Sequence, residues 1–356
     1  MMRPPVPPHS DHLDRARFPS FDGLRALAIL PVVLHHSTSG PMPGILGRGP
    51  LGVDLFFALS GFLITNLLLR EKETTGAVRL GAFWARRALR IMPLYYGVLA
   101  VFALHAVFLR EPGPVRDHFL HSLPVHLTYT SNFLLDTNVP HAIVFGFGWS
   151  LATEEQFYAL WPLVLGFARR TRAAAAGFMI VLLVVDQLTE RGFLDAFVSG
   201  VPFRVLRSIS TPIVLGSLLA LALRVRAGYA LFALVLARRC SSLVAFAVVA
   251  YLAWSGGSLL LAHVAMVGLV GACALRPDHL LAPILEHPIA RFIGDRSYGL
   301  YLLNIVATVL VKRHLGEDAP LALIFALALG LSLLMAHVAH VLVERPLMAA
   351  RARLRR

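Results

Sequence analysis

The sequence predicts an all-α, polytopic integral membrane protein with about ten transmembrane helices, and three observations lead there. Of the 356 residues, 57% are hydrophobic and only 15% are charged, with a mean hydropathy of +0.70. A soluble chain this apolar would have too little polar surface to present to water. Apolar windows of about 20 residues, the length that crosses a hydrocarbon core of about 30 Å, follow one another to the C-terminus. Lys and Arg gather at the ends of these windows on alternate sides, as insertion orientation requires. That placement assigns the net charge of +13 to the membrane and argues against nucleic acid as a partner.

The polar, Pro-rich residues 1–20 read as a cytoplasmic tail. No small-residue cleavage site follows the first apolar run, so that run is retained as a span. Spans are expected near residues 21–40, 51–69, 91–109, 149–168, 173–189, 205–223, 242–255, 258–275, 297–311 and 320–343, within one membrane domain of residues 21–346. Residues 347–356 form a basic cytoplasmic tail, which leaves both termini inside. The stretch GYALFALVLA, residues 228–237, is too short to cross and is read as interfacial; as a span it would invert every later helix. Residues 110–148 form an outer loop that caps or lines an acceptor cleft. Its histidines, His118, His121, His126 and His141, have no metal-ligand spacing, so no metal centre is expected. Cys240 and Cys273 show no framework and are read as packing residues.

Ionisable residues within spans are costly in lipid and are functional candidates by default. In FDGLRALAILPVVLHHS, Arg25 and His36 are 11 residues apart, about three helical turns, and share a face, whereas His35 points about 100° away. This favours His36 as the partner of Arg25, although Pro31 lies between them. In GVDLFFALSGFLIT, Asp54 reads as a first-turn carboxylate favoured by the helix dipole, and Ser60 and Gly61 as close-packing residues rather than a nucleophile. Arg87 and Arg90 share a face at the inner mouth of the third span, where guanidinium forks suit phosphates and the positive-inside rule also applies.

The paired carboxylates of GWSLATEEQFYALWPLVL complete the pattern. Glu155 is expected about 9 Å below the outer edge and His36 about 22 Å above the inner one, so in a core of about 30 Å their depths nearly coincide. Such a layout suits a long anionic donor such as acyl-CoA, with its phosphates on arginines. A histidine at that depth can take a hydroxyl proton, with a carboxylate to orient it. Glu154 points about 100° from Glu155 and is the reserve carboxylate.

The segments FDGLRALAIL with HH, GVDLFFALSGFLIT, FWARRALRIMPLYY, GWSLATEEQFYALWP, SYGLYLLN and VERP, in that order, resemble the membrane-bound acyltransferase family 3, which includes O-antigen O-acetyltransferases. The resemblance runs from about Phe21 to Pro346. It implies about ten helices in a bacterial inner membrane and transfer of an acyl group, usually acetyl from acetyl-CoA, to a hydroxyl of a sugar or lipid-linked glycan on the far side. By that resemblance, Arg25 and His36 form the family's arginine, ten residues, histidine motif; Arg87 and Arg90 its arginine pair; Glu154 and Glu155 its paired glutamates. Trp149, Ser150, Tyr158 and Glu344 fall in the same motifs as supporting residues. At Asn304 the family commonly has histidine, and an amide there can still supply a hydrogen bond. With no hydrolase-like domain after Pro346, the chain resembles the short form. A transporter or exporter, or an acyl-donor relay without transferase activity, is the competing reading, since intramembrane charges also mark transport pathways.

Overall fold

The computed structural model describes residues 7–15, 17–38, 40, 44–135, 145–167, 172–316 and 318–347; His141 and the tail beyond Leu347 lie outside these. The principal helices are α1 (Phe21–Ser37), α2 (Leu51–Thr75), α3 (Leu80–Phe108), α4 (Pro114–Leu127), α5 (Gly148–Phe167), α6 (Arg172–Glu190), α7 (Gly200–Arg207), α8 (Thr211–Leu223), α9 (Arg226–Leu236), α10 (Ser241–Ser255), α11 (Leu259–Leu275), α12 (Pro288–Asp295), α13 (Ser297–Leu315) and α14 (Leu321–Ala339). The described residues contain no strand.

All ten expected apolar stretches contain helix, and the fold is that of an all-α membrane protein. By length and apolarity, four helices suffice to cross alone: Leu51–Thr75, Leu80–Phe108, Arg172–Glu190 and Leu321–Leu347. Two bent pairs, α7 with α8 at 48° and α9 with α10 at 73°, raise the number to six, where ten were expected. The shortfall has physical causes. Helices α1 and α11 stop at 17 residues, and α5 and α13 carry the polar side chains of the motifs. The stretch read as interfacial is helix α9; counted with α10 as one bent span, it leaves the sense of the later helices unchanged.

The chain divides into two compact units, residues 1–77 with 211–338, and residues 78–210 with 339–356. In the first unit the central pair is α2 and α8. Gly61 lies against the Ile213 carbonyl and Gly216 against that of Ala58, so that any side chain at either glycine would meet backbone. Small residues let the two helices approach this closely. At one end of the pair the buried Arg224 donates to Glu73 Oε2 at 2.6 Å and to Asn66 Oδ1 at 2.6 Å, tying α2 to the end of α8. Removing one partner of a buried pair strands the other. Arg224→Met is therefore expected to cost about 3 kcal/mol, the low end for such a pair because Glu73 is partly exposed, measurable as a lowered unfolding temperature in detergent.

The N-terminal segment is docked on this unit. Residues His9–Asp14 form a helical turn, Tyr229 Oη donates to the Pro7 carbonyl at 2.6 Å, and His12 is buried against Tyr229 and Phe18. Burial pushes the His12 pKa from 6.5 down to about 4. Between these values the unfolded chain binds a proton that the folded chain does not, so stability is complete above pH 6.5 and falls as pH drops toward 4. A loss of about 2 kcal/mol is expected at pH 5, read as an acid-sensitive melting temperature that His12→Phe renders insensitive.

Between α9 and α10 the chain turns sharply, and the carbonyls freed there are taken up. Arg276 Nη1 donates to the Ala237 carbonyl at 2.9 Å and Leu280 N to that of Arg239 at 2.9 Å, while Arg276 Nε donates to Asp278 Oδ1 at 2.9 Å. Ala237 is buried, and its carbonyl without such a partner would cost several kcal/mol.

In the second unit, α3, α4 and α5 enclose an aromatic cluster. Tyr95 stacks on Tyr129 at 4.4 Å between ring centroids, and Phe102 and Phe147 both pack on the buried Phe145. Helix α3 begins at Leu80, about three turns before the expected span, because Leu, Ala and Arg are all good helix formers and the helix has no reason to stop where apolarity does.

Candidate active site

The candidate residues fall into two groups, one in each unit. In the first unit, the last turn of α1 places His36 Nδ1 2.5 Å from Asn304 Oδ1 on α13. Asn304 is fully buried, and its Nδ2 donates to the carbonyls of Leu300 at 3.0 Å and Tyr301 at 2.7 Å. Those two bonds fix which end of the amide faces the histidine. The oxygen can only accept, so His36 Nδ1 carries the proton and Nε2 carries the lone pair. Asn304 thus sets the tautomer of the candidate base.

Arg25 has a nearer partner than the expected His36. Arg25 Nη1 instead donates to Asp22 Oδ1 at 2.7 Å, one turn away. Sharing a face was not enough, because 11 residues of helix separate the two by about 16 Å, beyond the reach of one side chain. Asp54, expected only to favour its helix dipole, lies 3.2 Å from Nε2 of the buried His263 on α11. His263 was missed because a single histidine in an apolar run carries no spacing signal. Ser60 is half-buried on α2 beside Gly61, which lies in close contact with α8.

In the second unit, Arg87 lies with its guanidinium 4.6 Å from the Tyr158 ring centroid, and the Tyr158 hydroxyl donates to Glu154 one turn earlier on α5. Trp84 Nε1 holds the Tyr158 carbonyl at 3.1 Å. Arg87 and Arg90, expected at the inner mouth of the third span, lie two to three turns into α3, because the helix starts before the apolar run does. Ser150 Oγ donates to the Phe147 carbonyl at 3.0 Å and steadies the start of α5, where Trp149 is exposed. Glu344 accepts from His340 Nδ1 at 2.8 Å across a π-helical turn.

Glu155 differs from Glu154. Its Oε1 is buried with no hydrogen-bond partner among the described residues, and the same is true of Tyr129 Oη, Ser131 Oγ and His126 Nδ1. Tyr129 has a φ of 53°, a left-handed conformation rare for a bulky residue and frequent where function requires strain. Gln156 holds it there, with Nε2 donating to the Tyr129 carbonyl at 2.8 Å and to Asn132 Oδ1 at 2.9 Å. Burial, and next the charge of Glu155, raise the Tyr129 pKa, and burial pushes His126 down to about 4. Gln156 could have been flagged by its place directly after the paired glutamates; nothing in the sequence marks Tyr129. Among the described residues no three His, Cys, Asp or Glu are grouped to hold a metal ion.

The class the fold defines is an all-α membrane protein, with a tautomer-fixed histidine in one unit and paired glutamates in the other. The chain belongs to the acyltransferase family 3, whose acyltransferase domain matches residues 18–338. It is 28% identical over 358 residues to the O-acetyltransferase OatA of Staphylococcus aureus, covering 92% of this chain and 57% of that protein. It is 37% identical over 158 residues to the peptidoglycan O-acetyltransferase OatA of Listeria monocytogenes, covering 42% of this chain and 24% of that one. The chain spans just over half the length of the curated relatives that it matches along most of its own. No solved structure matches it.

Proposed function

We propose that this chain is a membrane O-acetyltransferase that takes an acetyl group from acetyl-CoA on the cytoplasmic side of a bacterial inner membrane and delivers it to a hydroxyl of a sugar or lipid-linked glycan on the outer side, with both termini cytoplasmic. The O-acetyltransferase names of the relatives support the reaction, and the His36–Asn304 pair carries the reading. His36 Nε2 removes the acceptor hydroxyl proton as the oxygen attacks the thioester carbonyl; the carbon–sulfur bond then breaks, and the imidazolium returns that proton to the sulfur, so the coenzyme leaves as its thiol. Glu155 is the second catalytic group, a carboxylate that offsets positive charge developing during transfer. Arg25 assists on the histidine's helix, and Arg87 and Arg90 bind the donor phosphates. A guanidinium held 4.6 Å from the Tyr158 ring centroid is positioned by that contact, and its fork suits phosphate oxygens. The bilayer is part of the site, since it keeps donor and acceptor on opposite sides.

The test is labelled acetyl-CoA given to membranes that contain the chain. Label should enter a glycan or lipid-linked sugar only when the chain is present; label that never leaves the donor would favour a transporter. A second expected result concerns the donor. Arg87→Lys and Arg90→Lys keep the charge but lose the fork, so the donor KM should rise by about five- to tenfold with little change for the acceptor. Titration of acetyl-CoA in inverted vesicles reads this, and an unchanged donor KM would place the phosphates elsewhere.

A further inference from the structure

The end of the first unit that carries His36 also holds a cavity of about 320 Å³ that none of the motifs touches, lined by Gly44, Gly47, Arg48, Trp254, Ser255 and Gly256. That volume is at the small end of ligand sites. The 3₁₀ turn Gly44–Arg48 forms one wall, and the last turn of α10 with the bend that follows forms the other. Gly44 and Gly256 have φ values of 59° and 68°, which favour glycine, so much of the wall is bare peptide able to donate and accept hydrogen bonds. The Trp254 indole is 67% exposed at the rim, and Arg48 is exposed beside Gly256, with Nη2 3.2 Å from where a Cβ there would stand. The next residue along, Gly49, is pressed against His35 and the Pro31 carbonyl on α1, which joins this wall to the helix of His36. Lys312, whose Nζ donates to the Thr38 carbonyl at 2.8 Å, adds a second positive charge at the same end.

We propose that this cavity is the acceptor subsite and that it takes a sugar unit bearing an anionic substituent, the ring lying on Trp254 and the substituent on Arg48. The inference rests on the acyltransferase reading above and names its acceptor class. An indole offers a flat apolar face with a polar edge, which suits the C–H face of a pyranose ringed by hydroxyls. A guanidinium binds carboxylate or phosphate oxygens in a fork, and the peptide walls supply neutral partners for hydroxyls. A merely apolar pocket would need no arginine, and an aromatic that only anchors the protein in lipid would need no cavity beside it.

The experiment uses the full chain in lipid nanodiscs and measures the binding of three soluble oligosaccharides of one backbone: one bearing a carboxylate on each repeat, one a phosphate ester, and one neutral. Wild type should prefer an anionic form over the neutral one by about tenfold, the factor expected for one charge-assisted contact; the better of the two anionic arms identifies the substituent. Arg48→Gln should erase that preference, Trp254→Leu should weaken all three by a similar factor, and Arg238→Gln, an exposed arginine near the α9–α10 turn, should change nothing. Equal binding of all three by wild type, no binding at all, or a preference that survives Arg48→Gln would overturn the subsite. Binding needs no donor, so the two readings separate. Arg48-dependent binding without acetyl transfer retains the subsite and removes the enzyme; transfer with an acceptor KM indifferent to Arg48→Gln does the reverse.

Discussion

His36→Ala is expected to lower acetyl transfer by about 10³-fold, within the range for loss of a general base, while the protein still inserts. The side chain sits in the last turn of α1 and its one described hydrogen bond is to Asn304. His36→Gln is the sharper variant, because its amide can still donate to Asn304 Oδ1 but has no basic nitrogen. It should be as inactive as alanine and melt closer to wild type. Asn304→Leu should fall between, since it frees the imidazole to take either tautomer. His35→Ala should be milder, as that residue packs against Gly49 and faces another way. Labelled acetyl transfer in membranes, beside detergent melting, reads all four. If His36→Gln keeps more than about a tenth of the wild-type rate, far above what loss of a base allows, His36 is not the base.

Glu155→Gln is expected to reduce turnover by about 10²-fold, the scale of one lost electrostatic contact in a water-poor site, with a smaller change in donor affinity. The structure separates the two adjacent carboxylates that helical geometry alone left open. Glu154 accepts the Tyr158 hydroxyl, a bond that glutamine can still accept, so Glu154→Gln should be mild. Glu155 has an oxygen without a described partner, and an amide there would lose the charge felt at Tyr129. Steady-state kinetics in vesicles distinguishes them, and equal effects of the two substitutions would make the carboxylates structural.

Most of the fold was legible because apolar runs impose helices whatever they pack against. The motif residues were legible because costly groups in such runs stand out. What was not legible depends on partners far along the chain. Asn304 meets His36 across 268 residues and Arg224 meets Asn66 across 158, and no local pattern encodes such pairs. The early start of α3 was missed for a different reason. Apolarity marks where lipid begins, whereas helix propensity decides where the helix begins, and in FWARRALR the two part company. Tyr129 owes its conformation to Gln156 on another helix, so its strain has no sequence mark at all.

The short hairpin of α10 and α11 has a consequence for the lipid around it. Their 15 and 17 residues measure about 22 and 25 Å, several ångströms less than an average hydrocarbon core. The corner of Arg239, Arg276 and Asp278 fixes one end of the hairpin in water, because three charges in a salt-bridged group are far better solvated there than among acyl chains. The mismatch is therefore taken up at the opposite end, where Trp254 stands, by acyl chains that compress and headgroups that sink. Where α10 crosses without α9, the membrane around that end of the unit is expected to thin, which gives a polar acceptor arriving from the water a shorter descent to the level of His36.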